Sequence, residues 1–154
     1  MLQIGYVGFG DLGRQIQAFV HEAWGDSHHE VFFDDKLAEE GAPNSFAFSA
    51  YSWEEFEGYE FLVSLGYKHL TKRLEIYAHL KKLGRRLPCL IHPTAYVHPQ
   101  AKLDDGVIIY PHCVVDKGAI IEDGVLLNNA VVISHESVIG RCCFLAPCVC
   151  ISGF

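Results

Sequence analysis

From Ile91 onward, apolar residues recur at every sixth position. Counted in sixes, the first positions are Ile91, Val97, Leu103, Ile109, Val115, Ile121, Leu127, Ile133, Ile139, Leu145 and Ile151. If about a quarter of residues are Leu, Ile or Val, chance produces such a row on the order of once in several million chains. The fifth positions are small or medium throughout: Ala95, Ala101, Val107, Cys113, Ala119, Val125, Val131, Ser137, Cys143 and Val149. A period of six does not fit an α-helix of 3.6 residues per turn. It fits a β-solenoid, in which each hexapeptide makes one short strand and one turn, and three hexapeptides close a triangular coil. The first position then points into the prism, and the fifth fills the tighter space beside a corner. Gly106, Asp116, Gly118, Asp123, Gly124, Asn128 and Gly140 suit corners that call for φ > 0. Stacking buries the aliphatic rows and pairs each strand with the coils above and below.

Residues 1–90 follow a different pattern. Leu2–Val7 is a short apolar strand, followed by the glycine-rich turn Gly8-Phe9-Gly10-Asp11-Leu12-Gly13. From Gly13 to Trp24 the period is helical, with Ile16, Phe19 and Val20 on one face. Val31–Phe33 is a second strand closed by Asp34-Asp35, and His28-His29 falls in the loop before it. Residues 36–58 carry no clear period. Glu60–Leu65 is a third strand ending at Gly66, Tyr67–Leu83 a basic amphipathic helix stopped by Gly84, and Leu87–Ile91 a fourth apolar run. This alternation predicts a small parallel sheet flanked by helices.

Composition narrows the function classes. The chain has 154 residues, half of them hydrophobic, with 12 Lys+Arg against 19 Asp+Glu and a net charge of −7. That balance argues against a nucleic-acid coat, which needs a basic face. No apolar run approaches the roughly 18 residues of a membrane span. Met1–Asp11 has no basic segment or cleavage-like site, so a cytoplasmic protein is expected. The cysteines at 89, 113, 142, 143, 148 and 150 form no CxxC pair and read as small apolar residues. No set of His, Asp or Glu has metal-ligand spacing, and no metal is expected.

Several residues suggest chemistry. His135 is the third residue of its hexapeptide, a position that neither inward row uses, so its imidazole is expected to project outward. An imidazole there suits a general base near neutral pH, or an ordinary surface histidine. Glu136 follows directly and could orient the ring if the chain turns at that point. Gly8, Gly10 and Gly13 match G-x-G-x-x-G between strand and helix, with Asp34 and Asp35 about twenty residues on. This pattern admits a phosphate site, a nicotinamide-dependent oxidoreductase fragment, or a tight turn with no ligand. About 90 residues hold only half of a dinucleotide fold, which weakens the oxidoreductase reading. Arg73 could approach a phosphate or belong to a solvated basic face with Lys68, Lys72, Lys81 and Lys82. His92 and His98, six apart and each before a proline, read as structural.

With these residues in view, the chain resembles the sugar O- and N-acyltransferases of the sialic acid and bacillosamine type. The resemblance rests on Gly8–Gly13, Phe33-Asp34-Asp35, Leu65-Gly66 followed by Arg73, the junction Leu90-Ile91-His92-Pro93-Thr94-Ala95, and Ile133-Ser134-His135-Glu136-Ser137-Val138-Ile139-Gly140. It implies a Rossmann-like domain over 1–90 and a left-handed parallel β-helix of hexapeptide repeats over 91–154. It also implies an acetyl-CoA donor and an amino- or hydroxy-sugar acceptor, often nucleotide-linked. A homotrimer with active sites between neighbouring β-helices is implied as well. His135 would be the general base with Glu136 its partner. Gly8, Gly10, Gly13, Asp34, Asp35, Gly66 and Arg73 would face the nucleotide-sugar, and Phe144 and Gly153 the acyl-CoA.

Two features depart from the family. Relatives commonly carry a histidine at the position of Phe144. A phenyl ring donates no hydrogen bond, so oxyanion support falls to backbone N–H groups such as that of Gly153. The repeats also end inside a hexapeptide, at Ser152-Gly153-Phe154, after about three and a half coils, where relatives continue. That predicts a shortened β-helix. It also keeps open a non-catalytic scaffold or sugar-nucleotide binder as the alternative to an enzyme.

Overall fold

Leu2–Val7 forms β1 at the centre of a parallel sheet in the computed structural model, which describes every residue from Met1 to Phe154. Two units are distinct, Met1–Pro88 and Cys89–Phe154. In the first, β1 leads to α1 (Asp11–Trp24) and β2 (His28–Phe33). Then come α2 (Asp35–Glu39), β3 (Ser45–Phe46), two short 3-10 turns, β4 (Glu60–Val63), a further 3-10 turn and α3 (Leu70–Lys82). The strands pair in parallel in the order β3-β2-β1-β4. Ile4, Tyr6 and Val7 of β1 are fully buried, as are Ile16 and Val20 on the inner face of α1. Each large apolar side chain so buried stabilises by about 1.5–3 kcal/mol.

Three expectations for this unit need correcting. His28-His29 opens β2 rather than lying in a loop, because Leu2 and Gln3 of β1 extend far enough to pair with both residues. The stretch without clear period contains α2 and β3, whose elements are too short to show one. Leu87–Ile91 is not a fourth strand of this sheet. Beside β4 there is only the single parallel bridge of Glu60 with Arg86, while β3 adds the fourth strand at the other edge and Leu90–Ile91 forms β5 of the second unit, paired with Ile108–Ile109.

The second unit is built from eleven two-residue strands, β5 (Leu90–Ile91), β6 (Tyr96–Val97), β7 (Lys102–Leu103) and so on at six-residue steps to β15 (Cys150–Ile151). They sort into three parallel sheets, β14-β11-β8-β5, β15-β12-β9-β6 and β13-β10-β7. Each strand pairs with the strand three along, so that Ile108 lies beside Leu90 and Leu126. This is the three-sided coil of 18 residues that the period requires, and it fits a β-helix. The first-position row is fully enclosed from Ile109 to Ile133, and the fifth-position residues Val107 to Val131 are equally buried. Both rows become more exposed toward the ends of the stack, where Cys143 is open.

The corners follow one rule. From Gly106 onward every fourth hexapeptide residue has φ between 55° and 71°: Gly106, His112, Gly118, Gly124, Ala130, Glu136, Cys142, Cys148 and Phe154. Only three are glycines, so the stack holds six other residues in a conformation that costs roughly 1–2 kcal/mol each. Gly140, Asp116, Asp123 and Asn128 are not at these corners. Asp116 and Asn128 instead accept a hydrogen bond from the next backbone N–H, each at 2.7 Å. His92 is buried, and its Nδ1 lies 2.9 Å from Thr94 Oγ1. His98 Nδ1 accepts from Gln100 N at 3.0 Å. Both hold turns together.

Candidate functional site

His135 sits on the turn between β12 (Val132–Ile133) and β13 (Val138–Ile139), and its side chain is exposed. The turn is clamped from both neighbouring coils. Glu136 N donates to Lys117 O at 3.1 Å, and Ser134 N to Ile151 O at 3.0 Å. Ser137, a buried fifth-position residue, donates its hydroxyl to Ser152 O at 2.9 Å. The imidazole lies over Gly153, the residue one coil later. A Cβ there would stand 2.8 Å from ring atoms Cε1 and Nε2. Phe154 meets the ring edge-to-face at 5.0 Å between centroids. Neither ring nitrogen bonds to another protein group, so both are available to a substrate.

Glu136 occupies the corner at φ 60°, which supplies the turn that partnership with His135 would need. Its carboxylate nevertheless goes the other way. It lies where Gly118, one coil earlier, would carry a Cβ. The two side chains therefore diverge, His135 toward the following coil and Glu136 toward the preceding one, with no hydrogen bond between them. The expected orienting contact is absent from this arrangement. Phe144 lies half-buried on β14 (Phe144–Leu145), and Gly153 presents a backbone N–H with no partner in the chain. The 18-residue pairs Gly118–Glu136 and Gly153–His135 were not singled out from the sequence. Reading the repeat three hexapeptides at a time would have exposed them.

The glycine turn follows the C-terminal end of β1, and each glycine has a different task. Gly8 has φ 83°, and a Cβ on it would stand 2.7 Å from Leu65 Cδ2. Its N–H donates to Phe33 O, and its carbonyl accepts the Ser64 hydroxyl. Gly13 lets α1 pack against the turn, since a Cβ would lie 3.0 Å from Gly8 O. Gly10 faces open space. It caps α1 without a side-chain hydrogen bond, leaving the positive end of the helix dipole for an anion. Clefts of about 380 Å³ and 340 Å³ flank Gly10 and Asp11. Lys68 and His69 line one, and Arg14 and Lys36 the other. Gly66 lies on the wall of the larger cleft beside Leu12.

The acidic pair and Arg73 do not stand free as ligands. Asp34 Oδ2 accepts from Phe9 N at 2.9 Å, pinning the glycine turn. Its Oδ1 caps α2 by accepting from Lys36 N and Leu37 N. Asp35 Oδ1 accepts from Phe48 N at 2.8 Å. Asp34 shapes the clefts that it lines, whereas Asp35, which lines neither, ties α2 to the 3-10 turn at Phe48. Arg73 corrects both readings of it, since it is fully buried. Its Nη1 donates to the carbonyls of Val63 and Leu65 at 2.9 and 2.8 Å, and the guanidinium lies over the Tyr77 ring. It joins neither a solvated face nor the cleft. It fixes the end of β4 from which Leu65 and Gly66 reach the cleft.

No family model matches the chain. Solved structures to which it is similar include acetyltransferases. One is the acetyltransferase domain of PglB from Neisseria gonorrhoeae, with a TM-score of 0.83 and 24% identity over 96% of this chain and 72% of that one. The same domain in complex with acetyl coenzyme A gives a TM-score of 0.80 and 26% identity, over 94% and 70% of the two chains. PerB from Caulobacter crescentus, solved with CoA and GDP-perosamine, gives a TM-score of 0.55 and 18% identity, over 99% and 92%. The chain shares the fold of these acetyltransferases. No helix in it is long and apolar enough to cross a membrane.

Proposed function

We propose that this protein transfers an acetyl group from acetyl-CoA to an amino or hydroxyl group of a nucleotide-linked sugar, with His135 as general base. The observation that carries the reading is the exposed His135 imidazole, both nitrogens free, seated over Gly153. It does so in a fold shared with a domain solved with acetyl coenzyme A. The acceptor nitrogen or oxygen attacks the thioester carbonyl while His135 takes its proton. The new C–N or C–O bond forms, the C–S bond breaks, and the imidazolium returns the proton to the departing CoA thiolate. The Gly153 N–H, one coil along and directly beneath the imidazole, serves as the donor for the developing oxyanion. Glu136 takes the adjacent corner, and its carboxylate fills the space beside Gly118. Phe144 offers an apolar face to the acyl-CoA arm.

In this reading the first unit is Rossmann-like and the second a left-handed β-helix. The pyrophosphate lies at Gly10 and the start of α1, with the cationic side chains of the two clefts around it. Gly8, Gly13 and Asp34 build that site, Gly66 walls it, and Asp35 steadies it from outside through Phe48 N. The working form is a homotrimer in the cytoplasm, with His135 at the seam between neighbouring β-helices. The test is release of CoA thiol from acetyl-CoA across a panel of UDP- and GDP-linked amino sugars. Turnover with at least one acceptor is expected. No thiol release by any acceptor, with a sugar nucleotide still bound, would establish the non-catalytic binder instead.

A further inference from the structure

A second polar cluster lies at the opposite end of the sheet from the glycine turn. The turn follows the C-terminal end of β1, whereas this cluster gathers where the parallel strand β2 begins. His28 and Glu30, two apart on β2, share one face of the strand. His21 comes from the last turn of α1. Three groups converge on one carboxylate oxygen, Glu30 Oε1: Tyr6 OH at 2.7 Å, His28 Nε2 at 2.9 Å and His21 Nε2 at 3.6 Å. Gln17 Nε2 donates to the other oxygen. The cluster is recessed, with side-chain exposures of 2% for His28, 15% for Glu30 and 39% for His21.

We propose that His21, His28 and Glu30 form a binding site for a zinc-class divalent cation. One ligand atom from each lies within 4.8 Å of the others. A tetrahedral ion about 2.1 Å from its ligands separates them by about 3.4 Å, so modest side-chain movement closes the set. Two imidazole nitrogens and a carboxylate are the donors that zinc and its neighbours take. The surrounding contacts are those of a ligated site. His21 Nδ1 is held by Asp26 Oδ1 at 2.7 Å, which turns Nε2 inward. A carboxylate on the far nitrogen of a ligating histidine is the recurrent arrangement in metal centres. Tyr6 and Gln17 hold Glu30 in the same way.

His28 adds an independent observation. Its Nδ1 is buried and has no hydrogen-bond partner. A buried polar atom left unpaired costs about 1–3 kcal/mol, so packing alone does not account for a histidine there. Its Nε2 is the edge that faces Glu30, at 2.9 Å. Three protein ligands leave a fourth tetrahedral position, open on the exposed His21 side. The sequence did not show this set, because a helix and a strand contribute ligands at positions 21, 28 and 30, outside any local motif.

The test is calorimetric titration of the chelator-treated full-length protein with zinc, together with cobalt absorption spectroscopy. One equivalent is expected, with a cobalt spectrum lacking thiolate charge-transfer bands. His21→Ala should abolish stoichiometric binding. Asp26→Asn alters an exposed residue outside the ligand set, so it should leave the fold intact and weaken affinity about 10–100-fold. The proposal is overturned by absence of stoichiometric binding. Thiolate bands, which place the ion on cysteines, or undiminished affinity in His21→Ala would overturn it equally.

Discussion

At the scale of single residues, the candidate base is placed by a glycine one coil away. The His135 ring occupies the space that any side chain at 153 would need. Gly153→Ala should therefore move the imidazole while leaving the solenoid folded. A displacement near 1 Å costs on the order of 10²-fold in rate. We expect kcat to fall by about that factor with an unchanged thermal midpoint, measured by thiol release and calorimetry. An unchanged kcat would show that the ring position tolerates the methyl group. The outward course of His135 was legible from its place in the hexapeptide. The opposite courses of His135 and Glu136 were not, because they depend on which neighbouring coil carries a glycine at each level.

At the scale of elements, the glycine turn and α3 separate structure from ligand contact. Gly8 combines a left-handed φ with a close approach to Leu65, so Gly8→Ala should destabilise the first unit by about 1–2 kcal/mol in chemical denaturation. Gly10→Ala adds its methyl group to open space and should leave stability unchanged. It should raise KM for the nucleotide sugar about tenfold, because the methyl group enters the space the pyrophosphate would occupy and lengthens its backbone N–H contacts. Equal effects of the two substitutions on both readouts would dissolve the distinction.

Arg73 gives a matching prediction for α3. Arg73→Met strips buried carbonyls at the end of β4 of a charged donor and should cost about 2–3 kcal/mol. A raised KM at unchanged stability would instead return Arg73 to the role of phosphate ligand. The sequence marked the glycine turn as a strand-to-helix junction. It also marked Asp34 and Asp35, but not that their oxygens serve backbone N–H groups. Arg73 was misread because a cation among lysines on a helix shows no sign of burial until β4 is packed against it. The same limit applied to β3, whose two residues are too short for a periodic signal.

At the scale of the whole molecule, the period of six was sufficient to define the second unit. Inward packing in a three-sided coil repeats every hexapeptide, so the pattern accumulates over eleven strands and outweighs local ambiguity. Oligomeric state has no such signature and rests on the proposed function. Light scattering should give a mass three times the 17.2 kDa of the chain. A monomer with full acetyltransferase activity would remove the seam from the mechanism.

The proposed chemistry depends on an imidazole that the fold displays but does not need. Thiol release and thermal midpoint measured side by side for the native protein and His135→Ala test that most directly. The account predicts a loss of about 10²–10⁴-fold in kcat/KM with the midpoint unmoved. Retained turnover, or a collapse of the fold on substitution, would contradict it.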